Sequence, residues 1–390
     1  MKFLFRYPAL LLLSICLLPW SISQAQEADS LSLRQKWVIR KSQRIEEGRT
    51  WISPLAGPAY TPELKFTLAG GILISYKTRR TDSLIQRSSS PILFGLSTSG
   101  AFIFQSKNST YWLGDKLRIN ADFWFKDMPD HYWGTGYLKG LNTLKSDSTT
   151  VYHRLWWMIN PIFLWQFRHN MFLGINVDYN YTRVKEPSAG VANDPEYQKY
   201  GFENLNSGFG LCLRYDSRDI PVNAWSGTYF DLSSTFYRSE FGGRNNYTIL
   251  KLDIRHYFPV FTKVPGKIFA LQFMTRAGWG NVPYAELSQL GSPFDLRGYL
   301  WGHYRDQSVV YFIAEYRHMF SNSSCETGRH GLVVWLGTGS VSDDLIRYIY
   351  WLPNAGAGYR FELQPRMNLR IDIGFGKKSR GFYLNFNEAF

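Results

Sequence analysis

Polar and apolar side chains alternate with a period of two through the second half of the chain. In Gly208–Asp216, Phe209, Leu211, Leu213 and Tyr215 share one face, and Gly208, Gly210, Cys212, Arg214 and Asp216 share the other. Thr228–Tyr237 opposes Phe230, Leu232 and Phe236 to Asp231, Ser233 and Thr235. Thr248–Phe258 opposes Leu250, Leu252, Ile254 and Phe258 to Lys251, Asp253 and Arg255. Such dyads are strands between an apolar and a polar medium. A soluble sandwich buries the apolar face. A membrane barrel turns it to lipid and keeps the polar face in a wet lumen.

Strand-like runs recur near 64–77, 91–106, 110–125, 150–167, 170–185, 205–217, 226–239, 245–258 and 266–279. Five more follow at Gln307–Phe320, His330–Ser340, Asn354–Leu363, Met367–Gly376 and Gly381–Phe390, and Tyr132–Leu138 is a short extra piece. With both termini on one side of a membrane the count must be even, so an all-β antiparallel barrel of about sixteen strands is expected, one strand having escaped detection in the first third. Short turns at Arg168–Asn170, Asp216–Trp225 and Gln364–Arg366 alternate with longer segments at 186–204 and 281–306. The short turns belong on the periplasmic side and the long loops outside.

The leader decides between the two media. Lys2 and Arg6 precede the apolar Leu10–Leu18, and Ser23-Gln24-Ala25 places small residues where signal peptidase needs them, so cleavage is expected after Ala25. Cys16 lies inside the apolar run, which argues against lipidation there. The expected organisation is a signal peptide over 1–25, a periplasmic segment over 26–63 and a barrel over 64–390. In the segment, Leu31, Arg34, Trp37, Val38 and Ile45 allow a short helix capped by Asp29 or Ser30, and a plain tether is the reading preferred.

Aromatic residues make up 17% of the chain and charged residues only 19%, which suits a barrel in lipid. A soluble propeller would show a repeat of about 40–50 residues, and none is found. The net charge of +13 is spread along strands instead of clustered, so it reads as lumen or rim charge facing lipid headgroups, and no nucleic-acid partner is expected. Beyond the leader, Cys212 and Cys325 read as separate thiols. The seven histidines are scattered, with no metal, cofactor or nucleophile-elbow motif. His303 near Asp306 is the only pair that invites a catalytic reading, and no enzyme is expected.

The stretch Pro293–Asp306, P-F-D-L-R-G-Y-L-W-G-H-Y-R-D, is richer in aromatic residues, glycine and arginine than a loose loop. Its composition predicts packing against something. Leu296-Arg297-Gly298-Tyr299 resembles the [VL]-R-G-[FY] loop signature of the BamA/TamA outer-membrane family, the bacterial surface antigen family. Tyr215-Asp216-Ser217-Arg218-Asp219 followed by Gly227 is similar to that family's strand-turn-strand. So is the close, with Tyr359–Glu362, Leu369–Asp372 and the final Phe390, which resembles the C-terminal signal of outer-membrane barrels. The resemblance is firm over about 200–390 and looser over 60–200. Family members usually carry periplasmic POTRA modules, for which the residues ahead of 64 leave no room. A barrel-only member is therefore expected.

The resemblance implies an outer-membrane barrel whose R-G-[FY] loop folds into the lumen, with its arginine meeting acidic residues on late strands. Alternation independently turns Glu315, Arg317, Arg360, Glu362, Arg370 and Asp372 into the lumen. Arg297 is thereby offered Glu362 and Asp372 as partners, since a guanidinium fork suits carboxylates. Gly298 would let the backbone turn and Tyr299 would wedge against the wall. The competing reading is that these charges merely solvate a pore. Asp216, Arg218, Asp219 and Gly227 are expected to fix a periplasmic turn. Three functions fit: insertion or translocation of proteins or lipids through weakly paired first and last strands, a passive or gated pore, and a structural anchor. The partners implied are outer-membrane lipid, client outer-membrane or exported proteins, and a separate periplasmic accessory protein.

Overall fold

The computed structural model describes residues 39–40, 43–45, 47–80, 85–261, 265–321, 327–364 and 366–390. The leader, Cys325 and most of the expected helix lie outside the described residues. Contacts divide the chain after Gln43, and the described positions of the first unit are helical.

The second unit is a closed antiparallel barrel of sixteen strands. Its first half comprises β1 (Trp51–Thr61), β2 (Lys65–Tyr76), β3 (Ser88–Ser97), β4 (Phe102–Trp112), β5 (Leu117–His131), β6 (Val151–Arg168), β7 (Met171–Lys185) and β8 (Glu203–Asp216). β9 (Gly227–Tyr237), β10 (Tyr247–Pro259) and β11 (Lys267–Gly280) follow. A two-stranded sheet of β12 (Ser288–Leu290) and β13 (Tyr304–Asp306) then interrupts the wall. β14 (Ser308–Ser321), β15 (Thr327–Ser342), β16 (Leu352–Gln364), β17 (Met367–Gly376) and β18 (Ser379–Phe386) complete it, and β18 meets β1.

The wall is inside out relative to a soluble protein. On β7, Leu173, Ile175 and Val177 are exposed outward, while Asn176, Asp178, Asn180 and Thr182 are buried inward. On β8, Leu211 is 53% exposed and its neighbour Cys212 only 2%. Apolar side chains outside and polar ones inside make sense only with lipid as the outer solvent.

Two strands escaped the pattern. β1 falls in the segment assigned to the periplasm, because Pro54, Gly57 and Pro58 interrupt its alternation. β3 and β4 fall together in the run 91–106, although Ser97–Gly100 is a polar turn between them; the turn is only four residues long. Conversely, Tyr132–Leu138 is not a strand. Gly134 and Gly136 have φ of 88° and 97°, and the chain turns there into helix α1 (Tyr137–Asn142).

The closure between β1 and β18 is thin. β1 pairs with β2 over its whole length but with β18 only through Tyr60 and Leu384 among the described residues. Register supplies a cause. Continued from Tyr60 and Leu384, it sets Pro58 opposite Phe386, where β18 ends, so Trp51–Gly57 have no β18 residue to pair with, and Pro58 itself brings no N–H.

Candidate functional site

The long segment between β11 and β14 enters the barrel. Leu290, Leu296, Tyr299 and Tyr304 join one buried apolar cluster with the wall residues Tyr257, Val309, Tyr311, Ile313, Trp335 and Leu352. Asp295 shapes the entry: its Oδ1 accepts from the N–H groups of Gly291 (3.0 Å), Ser292 (2.6 Å) and Leu296 (2.5 Å). Burial pushes its carboxyl above the ordinary range, against the pull of those donors.

Arg297 is completely buried and lies at the centre. Its guanidinium donates to Asp372 Oδ2 at 2.8 Å and to Glu315 Oε2 at 2.5 Å, and covers the Trp335 ring 3.6 Å from its centroid. Its carbonyl accepts from Asn354 Nδ2. Gly298 has φ +120°, and a Cβ there would come within 2.8 Å of the β17 backbone at Gly374 and Phe375. A Cβ at Gly374 would meet the Arg297 carbonyl at 2.1 Å, and one at Gly376 would meet the Tyr299 ring at 2.4 Å. These two glycines make room for the loop. Tyr299 Oη donates to Pro353 O at 2.7 Å.

The ion pairs extend into a chain. Glu315 also holds Arg317 at 2.7 Å, and Asp372 also holds Arg360 at 2.6 Å. Glu388 accepts from Arg360 Nε at 2.9 Å and lies 3.9 Å from Arg317. Arg370 lies 3.6 Å from Asp372 and 5.3 Å from the Phe294 ring centroid, and none of its three nitrogens has a hydrogen-bond partner among the described residues. Four guanidiniums thus share three side-chain carboxylates, all buried, and Arg317 Nη2 also donates to Phe390 O at 2.9 Å.

Of the two expected partners of Arg297, the structure brings Asp372 to it and not Glu362. Glu362 lies four positions along β16 from Gly358, the residue opposite Asp372. At roughly 3.3 Å per residue that is about 13 Å toward the short-turn end. Glu315, assigned by parity to the lumen but not to Arg297, takes that place. Phe390, read as a C-terminal signal, lies past the last strand: β18 stops at Phe386, Asn387 adopts φ +63°, and Phe390 is buried against Tyr257 and Arg317. Glu388 was missed, although a signal existed. It shares the parity of Phe382, Leu384 and Phe386, so a continued strand would carry its charge into lipid.

The Tyr215–Asp219 motif forms a turn at the short-turn end. Asp216 accepts from Arg218 at 2.9 Å, Asp219 from the Trp225 N–H at 2.9 Å, and Arg366 bonds Asp219 at 2.7 Å. Gly227 has φ +103°, and a Cβ there would lie 2.3 Å from Ser217 O. At the opposite end His303 bonds the Gly140 carbonyl at 2.9 Å, and Asp306 accepts from the Gln307 N–H. Burial lowers the His303 pKa. Neither is aimed at the other.

The Omp85 superfamily domain matches residues 95–390. The chain belongs to the Omp85 superfamily. Solved structures agree in fold. BamA from Haemophilus ducreyi lacking POTRA domains 1–3 is 11% identical, with a TM-score of 0.59, covering 93% of this chain and 80% of that one. CdiB from Escherichia coli is 10% identical (TM-score 0.54; 86% and 62% covered), and CdiB from Acinetobacter baumannii 12% identical (0.51; 87% and 59%). This chain thus spans about six tenths of either CdiB. No curated protein matches in sequence. An Omp85 barrel is an outer-membrane protein of transport or insertion, not an enzyme.

Proposed function

We propose that this Omp85 barrel assists the insertion of client β-strands at the outer membrane, opening between β1 and β18. The observation that carries the proposal is the seam, closed by one in-register pair among the described residues, where every other junction has five or more. An edge strand with unpaired backbone groups is a template for an incoming strand. The filled lumen argues against a standing pore, since loop and wall share one apolar core. The likeness to BamA and CdiB supports the reading at the level of fold. A separate periplasmic protein would supply client recognition.

The test is a seam lock. Residues 60 and 384 face each other, within the Cα separation a disulfide requires. Tyr60→Cys with Leu384→Cys, reconstituted in liposomes, should fold an unfolded outer-membrane barrel slowly when oxidised and at the wild-type rate when reduced. Equal rates in both states overturn the proposal. If client folding is indifferent but transfer of a fluorescent lipid falls on oxidation, the cargo is lipid. If ion conductance alone responds, the barrel is a gated pore.

A further inference from the structure

The loop touches both sides of the seam within four residues. On the β18 side, Gly298 N–H donates to Tyr383 Oη at 2.9 Å, and Ser379 Oγ donates to Gly298 O at 2.5 Å. Tyr383 Oη also donates to Tyr299 O at 3.3 Å. On the β1 side, Trp301 N–H donates to Glu63 Oε1 at 2.7 Å. Glu63 lies in the turn joining β1 to β2. From Gly298 to Trp301 the chain therefore crosses from the last strand to the first hairpin inside the barrel, past the junction where the wall is thinnest.

We infer that Gly298–Trp301 is a strap holding the seam shut from within, and that Glu63 is the positioning residue anchoring it to the β1 side. Three observations converge. The strap has little freedom at its β18 end, because Gly298 and Tyr299 fit against glycines of β17. Its far end is held as well, since the Trp301 ring lies 6.1 Å from Trp156 and 5.5 Å from the Lys126 ammonium. And β1 meets β18 in one in-register pair among the described residues, with β18 ending opposite Pro58. Opening the seam then requires the Glu63–Trp301 bond to break or the strap to leave Tyr383. The inference rests on the seam being the working part of the barrel, but its test does not use client folding.

The experiment is hydrogen exchange read by mass spectrometry on the full chain in lipid nanodiscs. Glu63→Ala should speed exchange across 51–61 by about tenfold, the scale of one charge-assisted hydrogen bond. Glu63→Gln keeps an acceptor oxygen and should stay within about twofold of wild type. Tyr383→Phe cuts the strap on the opposite side, and should also speed exchange in 51–61. Residues 227–259, remote from the seam, report global stability. The inference is overturned if Glu63→Ala changes only the turn at 62–65. It is also overturned if Tyr383→Phe leaves 51–61 untouched, or if 227–259 loosens in step with 51–61. A barrel that passes this test yet folds clients equally well when locked would keep its strap and lose its proposed function.

Discussion

The unequal count of charges behind the loop makes a prediction of sign. Asp372 lies between Arg297 at 2.8 Å, Arg360 at 2.6 Å and Arg370 at 3.6 Å, all buried. Asp372→Asn removes one of three carboxylates and leaves four guanidiniums, none of which can give up its proton. Breaking a buried pair in this way costs about 3–5 kcal/mol, and the three guanidiniums around this one carboxylate put the site at the upper end. Arg370→Met moves the balance the other way. Arg370 makes no hydrogen bond among the described residues, and an unbranched apolar side chain fills much of its volume. Its removal should cost within about 1 kcal/mol of nothing, or stabilise. The assay is urea unfolding in lipid vesicles followed by tryptophan fluorescence, with Asp372→Asn, Arg370→Met and the double variant compared. The double variant should recover part of the Asp372→Asn loss, because it restores the original surplus of one. Equal losses from both single variants, or a gain from Asp372→Asn, would refute the charge accounting.

Arg297→Ala should cost about 3 kcal/mol, because Glu315 and Asp372 each keep another arginine; planar-bilayer recording should show raised conductance as the loop leaves the lumen, and an unchanged trace would remove the latch. Gly298→Ala introduces a Cβ 2.8 Å from the β17 backbone at an unfavourable φ, so a loss of about 2 kcal/mol or more and a protease-sensitive loop are expected, whereas intact protection under trypsin would contradict the close approach. Burial raises the Asp306 carboxyl to about 6, so its protonated form is favoured in the fold. Its contribution is then full below the unfolded value near 3.8 and is lost as pH rises through 6. Asp306→Asn should remove that part of the slope, and an unaltered difference in unfolding free energy between pH 4 and pH 7 would count against it.

Much of this was legible because period two reports which face a residue occupies. Parity placed Arg297's surroundings correctly: Glu315, Arg317, Arg360, Arg370 and Asp372 are all inside. Parity says nothing about height along the wall, and Glu362 and Asp372 look equivalent in sequence though about 13 Å separates their levels. The loop's path decides between them, and that path depends on Gly374 and Gly376 lying where Gly298 and Tyr299 approach. β1 was hidden for a related reason. Pro54, Gly57 and Pro58 break its alternation, and these read as a linker. The inward turn of the last residues was not legible from the terminal aromatic alone, although the acid at Glu388 would be carried into lipid by a continued strand.

The wall side chains that bond Arg297 and Gly298 all lie later in the chain: Glu315, Asn354, Asp372, Ser379 and Tyr383. These two residues therefore cannot be seated until β14 and β16–β18 exist. Order of assembly is thus written into the latch, which forms only on a wall that is complete. Pulse labelling during refolding should find Arg297–Trp301 protected after β6 and β7, and never before β17 and β18.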